Sequence, residues 1–144
     1  MPAPAPSPHA AAFSKLRAYT NLTVLLPNQD GSILAAGRPS GRTPFPYITV
    51  AHAGERWDPQ TEHNNTTVRV RIYSGLEVTS FVDIEKISTQ VKFALHKANL
   101  GDIEGQGFLE CRWAGWGSGD LYDFNNEAWY RELRFFIQTG QSFS

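Results

Sequence analysis

The chain has little of what a disulfide framework or a metal site needs. Its 144 residues include a single cysteine, Cys111, so no intramolecular disulfide can form. None of the four histidines lies in an H-x-x-x-H or H-E-x-x-H pattern or beside a cysteine pair, so no zinc signature is present. We therefore expect no metal and no other cofactor. Cys111 is predicted to be a small core residue rather than a nucleophile.

An excess of one charge and a long apolar run are also missing. Thirteen basic and fourteen acidic residues give a net charge of -1, whereas proteins that bind nucleic acid mainly through phosphate contacts carry a basic excess. No stretch approaches the roughly 18 apolar residues of a membrane span. The N-terminus lacks the basic segment and apolar run of a signal peptide. We expect a soluble protein of a reducing compartment, with no membrane partner.

Catalytic motifs are equally scarce. The glycine-rich run at residues 115–119 (GWGSG) resembles a phosphate-binding loop only superficially, because an aromatic and acidic segment follows it instead of a helix. No Gly-x-Ser-x-Gly elbow occurs, although the members of a Ser-His-acid triad can lie far apart in sequence. A small hydrolase stays open as an alternative that no motif supports, and the prediction is that the protein is not an enzyme.

The composition that remains is that of a folded domain. Hydrophobic residues make up 41% of the chain and aromatic residues 12%, and a chain of this length hides roughly two-thirds of its surface on folding. Residues 1–8 (MPAPAPSP) alternate proline with small residues, which predicts a disordered Pro/Ala-rich tail. Residues 9–144 are predicted to form a single domain.

Hydrophobic periodicity predicts the elements of this domain. Helices are expected at residues 9–26 and 79–99, the second closed by Gly101. Strands are expected at residues 47–53, 66–74, 108–113 and 129–138, with a short one near residues 33–36. The predicted fold class is α+β: two layers, with a mainly antiparallel or mixed sheet of about four strands and helices packed on one face.

Two polar stretches are predicted to be long loops. Residues 54–65 carry Trp57 between Arg56 and Asp58, which suggests an aromatic anchor for a partner, although such a ring can also fold back on its own core. Residues 114–127 contain several glycines together with Trp116 and Tyr122. This second loop is predicted to be a flexible connection that becomes ordered against a partner.

Arginines and aromatic residues alternate with apolar residues on the predicted strands, as at Arg69, Arg71, Tyr73 and Arg134. Such a face can stack the bases of a single-stranded nucleic acid. It can also be an ordinary polar face with cross-strand pairs between an arginine and Glu110 or Glu132. A third interpretation is an interface between subunits, which the net charge of -1 favours over nucleic acid.

The succession of these segments is similar to a known family. The runs are 44–50 (PFPYITV), a polar stretch with Trp57, 68–74 (VRVRIYS), a helix ending in 94–98 (ALHKA), and 129–135 (WYRELRF). Over residues 13–138 their order and spacing resemble the tail-terminator (tail-completion) proteins of long-tailed bacteriophages and related tail-like particles.

The resemblance implies a structural virion protein without bond-making chemistry. Subunits of this family form a ring, usually a hexamer, that caps the tail tube, stops its polymerisation and contacts the head-completion (neck) protein, while viral DNA passes through the lumen without sequence-specific binding. The implied location is the tail or neck of the virion, assembled in the bacterial host cytoplasm. The alternative is a single-stranded nucleic-acid-binding module. The candidate subunit and tail-tube contacts are Arg56, Trp57, Asp58, Arg69, Arg71, Tyr73, Trp116, Tyr122 and Arg134.

Overall fold

The chain alternates groups of helices and strands, as an α+β fold requires. The computed structural model describes residues 8–35, 44–58, 63–75, 80–96, 98–103, 107–124 and 128–139. Within these ranges the helices are α1 (Pro8–Ala18), α2 (Thr20–Thr23) and α3 (Ser80–Leu95), with a 3-10 turn at Gln29–Ser32. The strands are β1 (Ile33–Ala35), β2 (Tyr47–Asp58), β3 (His63–Ser74), β4 (Ala98–Ile103), β5 (Gly107–Gly117), β6 (Leu121–Asp123) and β7 (Ala128–Thr139).

All the described strands belong to one sheet. Its order is β1-β2-β3-β7-β5-β4, and β6 pairs with β7 beside that path. The β1–β2 pair is parallel and the other pairs are antiparallel. The mainly antiparallel sheet is thus confirmed, but its described strands number seven rather than about four. Strand β1 is the short strand expected near residues 33–36, whereas β4 and β6 were not expected.

Helices α1 and α3 pack on one face of this sheet. The helix predicted at residues 79–99 is present as α3, and its apolar residues Ile84, Ile87, Val91 and Leu95 form one stripe that is at most 1% exposed. These residues share one hydrophobic core with alternate residues of the two central strands, namely Val68, Val70, Ile72, Leu133, Phe135 and Ile137. The opposite face, called the open face below, carries the intervening residues from Arg69 to Tyr73 and from Tyr130 to Phe136.

The first predicted helix is interrupted at Tyr19. That residue has extended backbone angles, φ -88° and ψ 99°, between α1 and α2. In a straight helix, Leu16 and Leu22 would point about 120° apart around the axis, too far apart for both to face the same layer of the core. The break allows Leu16, Leu22 and Leu26 all to be buried in the same core.

The second predicted helix ends earlier than expected. It stops at Leu95, where the His96 N–H still donates to the Lys92 carbonyl at 2.8 Å. Gly101, predicted to cap this helix, lies within β4 instead. The reason is tertiary: the backbone from Ala98 onward pairs with β5, opposite Cys111, so its polar groups are satisfied in the sheet.

The loop predicted at residues 54–65 is mostly strand. The pairs Arg56–Asn65, Trp57–Asn64 and Asp58–His63 continue the β2–β3 hairpin, and the connection itself falls outside the described residues. The polar sequence suggested a loop, but β3 is also paired with β7 as far as Asn64, so the sheet holds this segment extended. Gly54, at φ +128°, lies at a register shift where a side chain would be strained.

The loop predicted at residues 114–127 is also shorter than expected. Strand β5 continues to Gly117, and β6 follows at Leu121–Asp123. The register against β7 shifts between Trp113 and Gly117, and Gly115 within this irregularity has φ +76°. Gly115, in the run that resembles a phosphate-binding loop in sequence, therefore lies in a bulge of a strand.

The predicted N-terminal tail falls outside the described residues, apart from its last residue. Pro8 is the first residue of α1 rather than part of the tail. Proline is tolerated there because the first-turn N–H groups have no partner within the helix.

The core position of Cys111 generates a first prediction. The thiol is fully buried, and burial raises its pKa to about 12, so it is held as an unreactive thiol. Cys111→Ala should lower the free energy of unfolding by about 1–2 kcal/mol and leave assembly unchanged. Urea denaturation and gel filtration measure both quantities. A stably folded Cys111→Ala protein that lost its function would contradict the packing role and favour an enzyme.

Candidate functional site

Three arginines of the open face surround one glutamate. Arg71 on β3 is directly opposite Glu132 on β7, and Arg69 is opposite Arg134. The Arg71 Nε donates to Glu132 Oε1 at 2.9 Å, and the Arg134 Nε donates to Oε2 at 3.0 Å. The Arg69 Nε lies 3.7 Å from Oε1. Both carboxylate oxygens are therefore engaged by arginines from two strands.

Glu132 is a buried charge on a face that the described helices do not cover. It is only 5% exposed, so burial by itself would raise its pKa. The hydrogen bonds from Arg71 and Arg134 outweigh this effect, and the pKa of Glu132 lies below its ordinary value. Three guanidinium groups against one carboxylate leave this cluster, called the arginine cluster below, with a formal charge of +2.

The backbone of Glu132 is held as firmly as its side chain. Its N–H donates to the Ser118 hydroxyl at 2.8 Å, and the Ser118 N–H donates to the Glu132 carbonyl at 2.9 Å. Ser118 directly follows β5, whose last residue Gly117 is paired with Leu133. Ser118, at the end of β5, therefore helps to position Glu132 among the three arginines.

A row of aromatic rings borders the arginine cluster. Tyr47 and Tyr73 stack with ring centroids 4.9 Å apart, Tyr130 follows Tyr73 at 5.4 Å, and Phe45 stacks on Tyr47 at 5.5 Å. The Arg71 guanidinium lies 4.9 Å from the centre of the Tyr130 ring. Tyr47 and Tyr73 are only 4% and 6% exposed. Because Tyr47 and Tyr73 are stacked between neighbouring rings and nearly buried, their faces are not open to nucleic-acid bases.

The structure brings together four of the nine candidate residues. Arg69, Arg71 and Arg134 meet at Glu132, and Tyr73 belongs to the adjoining aromatic row. The cross-strand arginine–glutamate pairing considered from the sequence is thus present at Glu132. Its central position among three arginines was not predicted, because nothing in the sequence states which strand lies beside which.

The other five candidates lie away from the arginine cluster. Arg56, Trp57 and Asp58 are near the end of the β2–β3 hairpin, and Trp116 lies in the irregular part of β5. Tyr122 lies on β6, with its ring edge-on to Trp129 at 5.3 Å and to Phe124 at 4.8 Å. Among the described side chains, the contacts of Tyr122 therefore involve Trp129 and Phe124 and not the arginine cluster.

A second charged group connects α3 to the segment that precedes β6. Arg131 donates to Glu85 at 2.8 Å and to Asp120 at 2.9 Å. The hydrogen bond and the positive charge of Arg131 lower the pKa of Glu85. Just beyond, Leu121 is 43% exposed and Phe124 is 83% exposed. Residues 120–124 are called the acidic–apolar segment below.

Groups suited to binding a metal ion are not assembled in the described part of the chain. No set of three or more His, Cys, Asp or Glu side chains could hold a metal ion there. His96 accepts the Trp113 backbone N–H through Nδ1 at 3.1 Å, which is a structural contact. Among the described helices, none has the length and apolarity that a membrane crossing requires.

Comparison with known proteins supports the fold. No protein-family model matches the chain, and no curated protein matches it in sequence. Solved structures do match. One is a chain in the virion of a native gene transfer agent (GTA) particle, with a TM-score of 0.66 and 16% sequence identity, covering 91% of this chain and 92% of that chain. The two chains share a fold over nearly their whole lengths.

The buried carboxylate should make stability depend on pH. The folded-state pKa of Glu132 lies below its ordinary value of about 4.5, so its contribution is present above that pH and is lost as pH falls through the folded pKa. Breaking a buried pair costs about 3–5 kcal/mol, but these arginines are 29–46% exposed and water offsets part of the loss. Glu132→Gln should therefore cost about 2 kcal/mol at neutral pH.

Urea unfolding at several pH values tests this expectation. The Glu132→Gln protein should lose less stability than the wild type between neutral and acid pH. Glu85→Gln is the matched control, because Glu85 also binds an arginine but its side chain is 66% exposed. An unchanged acid dependence in Glu132→Gln would show that the carboxylate does not support the fold.

Proposed function

We propose that the protein is a structural component of a virion. The observation that carries this proposal is the shared fold, at a TM-score of 0.66 and over nine-tenths of both chains, with a chain of the gene transfer agent virion. A virion component acts by fitting its neighbours, and the open face has the composition of such a contact surface. Arginine and aromatic residues are enriched at protein interfaces and dominate their binding energy.

Within the virion, we propose the tail-terminator role that the sequence resembles. The subunit would form a ring through head-to-tail contacts rather than symmetric two-fold contacts, with six copies as the expected number. One side of the ring would match the last layer of the tail tube and the other would meet the head-completion protein, with DNA passing through the lumen. The mechanism is surface matching: the tube-facing side of the ring complements the end of the tube, and the opposite side does not bind further tube subunits, so the tube stops growing.

The alternative of a single-stranded nucleic-acid-binding module has less support. A stacking platform needs exposed aromatic faces, and the two tyrosines nearest the arginines on β2 and β3 are nearly buried. The formal charge of the whole chain is -1, so the +2 of the arginine cluster is a local feature.

The mass of the purified protein distinguishes these functions. A ring should elute and scatter light as about six 16.1 kDa subunits and appear annular in negative-stain electron microscopy. Arg134→Glu should lower the assembled fraction, because an interface arginine contributes about 2 kcal/mol or more. Both Arg71 and Arg134 donate to Glu132, so changing either of them to Glu brings a second carboxylate near it. Arg134 is the more exposed of the two, at 46% against 29%, so Arg134→Glu is the variant whose monomer should stay folded, which circular dichroism and the melting temperature check.

Arg17→Glu is the matched control for this experiment. Arg17 is similarly exposed, at 40%, and also pairs with a carboxylate, that of Asp30. It lies on α1 and not on the open face. If Arg134→Glu assembles as the wild type does but loses affinity for an oligonucleotide, the nucleic-acid function replaces the one proposed.

Trp57 remains a proposed contact with the neighbouring subunit or the tail tube. The backbone of Trp57 is paired with that of Asn64 near the end of the hairpin, so Trp57 lies on a strand and not in a long loop. Trp57→Ala should leave the melting temperature nearly unchanged and weaken ring formation or tube capping, giving abnormally long tails or tails without heads. If Trp57→Ala mainly lowers the melting temperature while tails keep their length, the residue is structural.

A further inference from the structure

We infer that neighbouring subunits join edge to edge, with β4 of one copy adding as a parallel strand to the outer edge of β2 in the next copy. This inference rests on the proposed function and deepens it by naming the backbone contact that closes the ring. Three properties of the two edges carry it: neither has a described partner strand, both run in the same direction, and both lie at the same level of the sheet.

Both ends of the sheet present backbone groups that no other described strand pairs with. At one end, β4 is the last strand and pairs with β5. At the other end, β1 pairs with β2 over residues 48–50, whereas β2 continues to Asp58. On their outer sides, residues 55–58 and β4 therefore have no partner strand among the described residues. Such edges are templates for pairing with another chain.

The sequences of these edges do not prevent pairing. Natural sheets block an exposed edge with proline or lysine, and residues 55–58 (ERWD) and 98–103 (ANLGDI) contain neither. A register shift interrupts each strand, between His52 and Gly54 in β2 and between Asn99 and Asp102 in β4. Residues 55–58 and 98–99 lie outside these shifts and stay in regular register.

The two edges also run in the same direction. Four successive antiparallel pairs lead from β2 through β3, β7 and β5 to β4, so the direction of β4 is again that of β2. Rotation about a ring axis keeps the direction of every strand along that axis. The β4 edge of one copy therefore meets the β2 edge of the next as a parallel pair, whereas a two-fold axis would pair β4 with a second β4 in antiparallel fashion.

The two edges are level with each other along the strands. One row of backbone pairs crosses the sheet from the β2 edge to the β4 edge through Arg56, Asn65, Gln138, Glu110 and Asn99. The adjacent row joins Glu55 to Ala98 in the same way. Edges at one level meet without a step along the strands. Rotation without such a step closes a ring, whereas a step at every contact produces an open helix.

Amide hydrogen exchange, followed by mass spectrometry, tests this contact in the wild-type protein. The assembled ring is compared with the same protein diluted until it dissociates. Backbone N–H groups that gain a partner within residues 55–58 and 98–103 should exchange about 10-fold or more slowly in the ring. Strand β6, in the acidic–apolar segment, is the internal control. It pairs with the opposite end of β7, at residues 128–130, so its exchange should not change.

Two neighbouring proline variants test the β2 edge by mutation. Successive residues of a strand direct their N–H groups to opposite sides, so one of Glu55→Pro and Arg56→Pro disrupts the β2–β3 pairing and the other removes only an outward donor. The outward variant should keep the wild-type melting temperature and associate about 10-fold or more weakly by light scattering. The inward variant is its matched control and should have a lower melting temperature.

The outcomes separate the edge contact from the ring. A ring in which either edge lacks added protection, or an outward proline variant that assembles as the wild type does, overturns the contact while the ring stands. If both proline variants unfold, the exchange measurement decides alone. A particle of two subunits protected at β4 only, or a wild-type protein that stays monomeric at high concentration, overturns both the contact and the ring.

Discussion

The open face of the sheet is organised by the pairing of one buried carboxylate with arginines from two strands. Glu132 has almost no contact with water, so its charge is stabilised by the hydrogen bonds that Arg71 and Arg134 donate to it. This requirement also specifies the register of β3 against β7. A slip of one residue would place Glu132 and Arg71 on opposite faces and move the core residues of one strand into solvent.

The two faces of the sheet therefore serve different purposes. The helix-covered face buries a continuous apolar core, which supplies most of the stability. The open face places arginines and stacked tyrosines where no described helix packs, and its polar groups are already paired within the subunit. A surface that is ordered before it meets a partner loses less entropy on binding, which suits assembly from folded subunits.

Local pattern predicted those parts of the fold that depend on neighbouring residues in the chain. The alternation of Val68, Val70 and Ile72 with arginines and the stripe of α3 both follow from burial of one face. The pattern was wrong at residues 54–65 and 114–127, where glycine and polar residues favour loops but pairing across the sheet holds strands. Pairing partners are distant in sequence, so the meeting of Arg69, Arg71 and Arg134 at Glu132 could not be predicted.

Glu132 also affects the stability of the free subunit. Three guanidinium groups on adjacent strands would repel one another and destabilise the free monomer, and the carboxylate among them removes part of that repulsion.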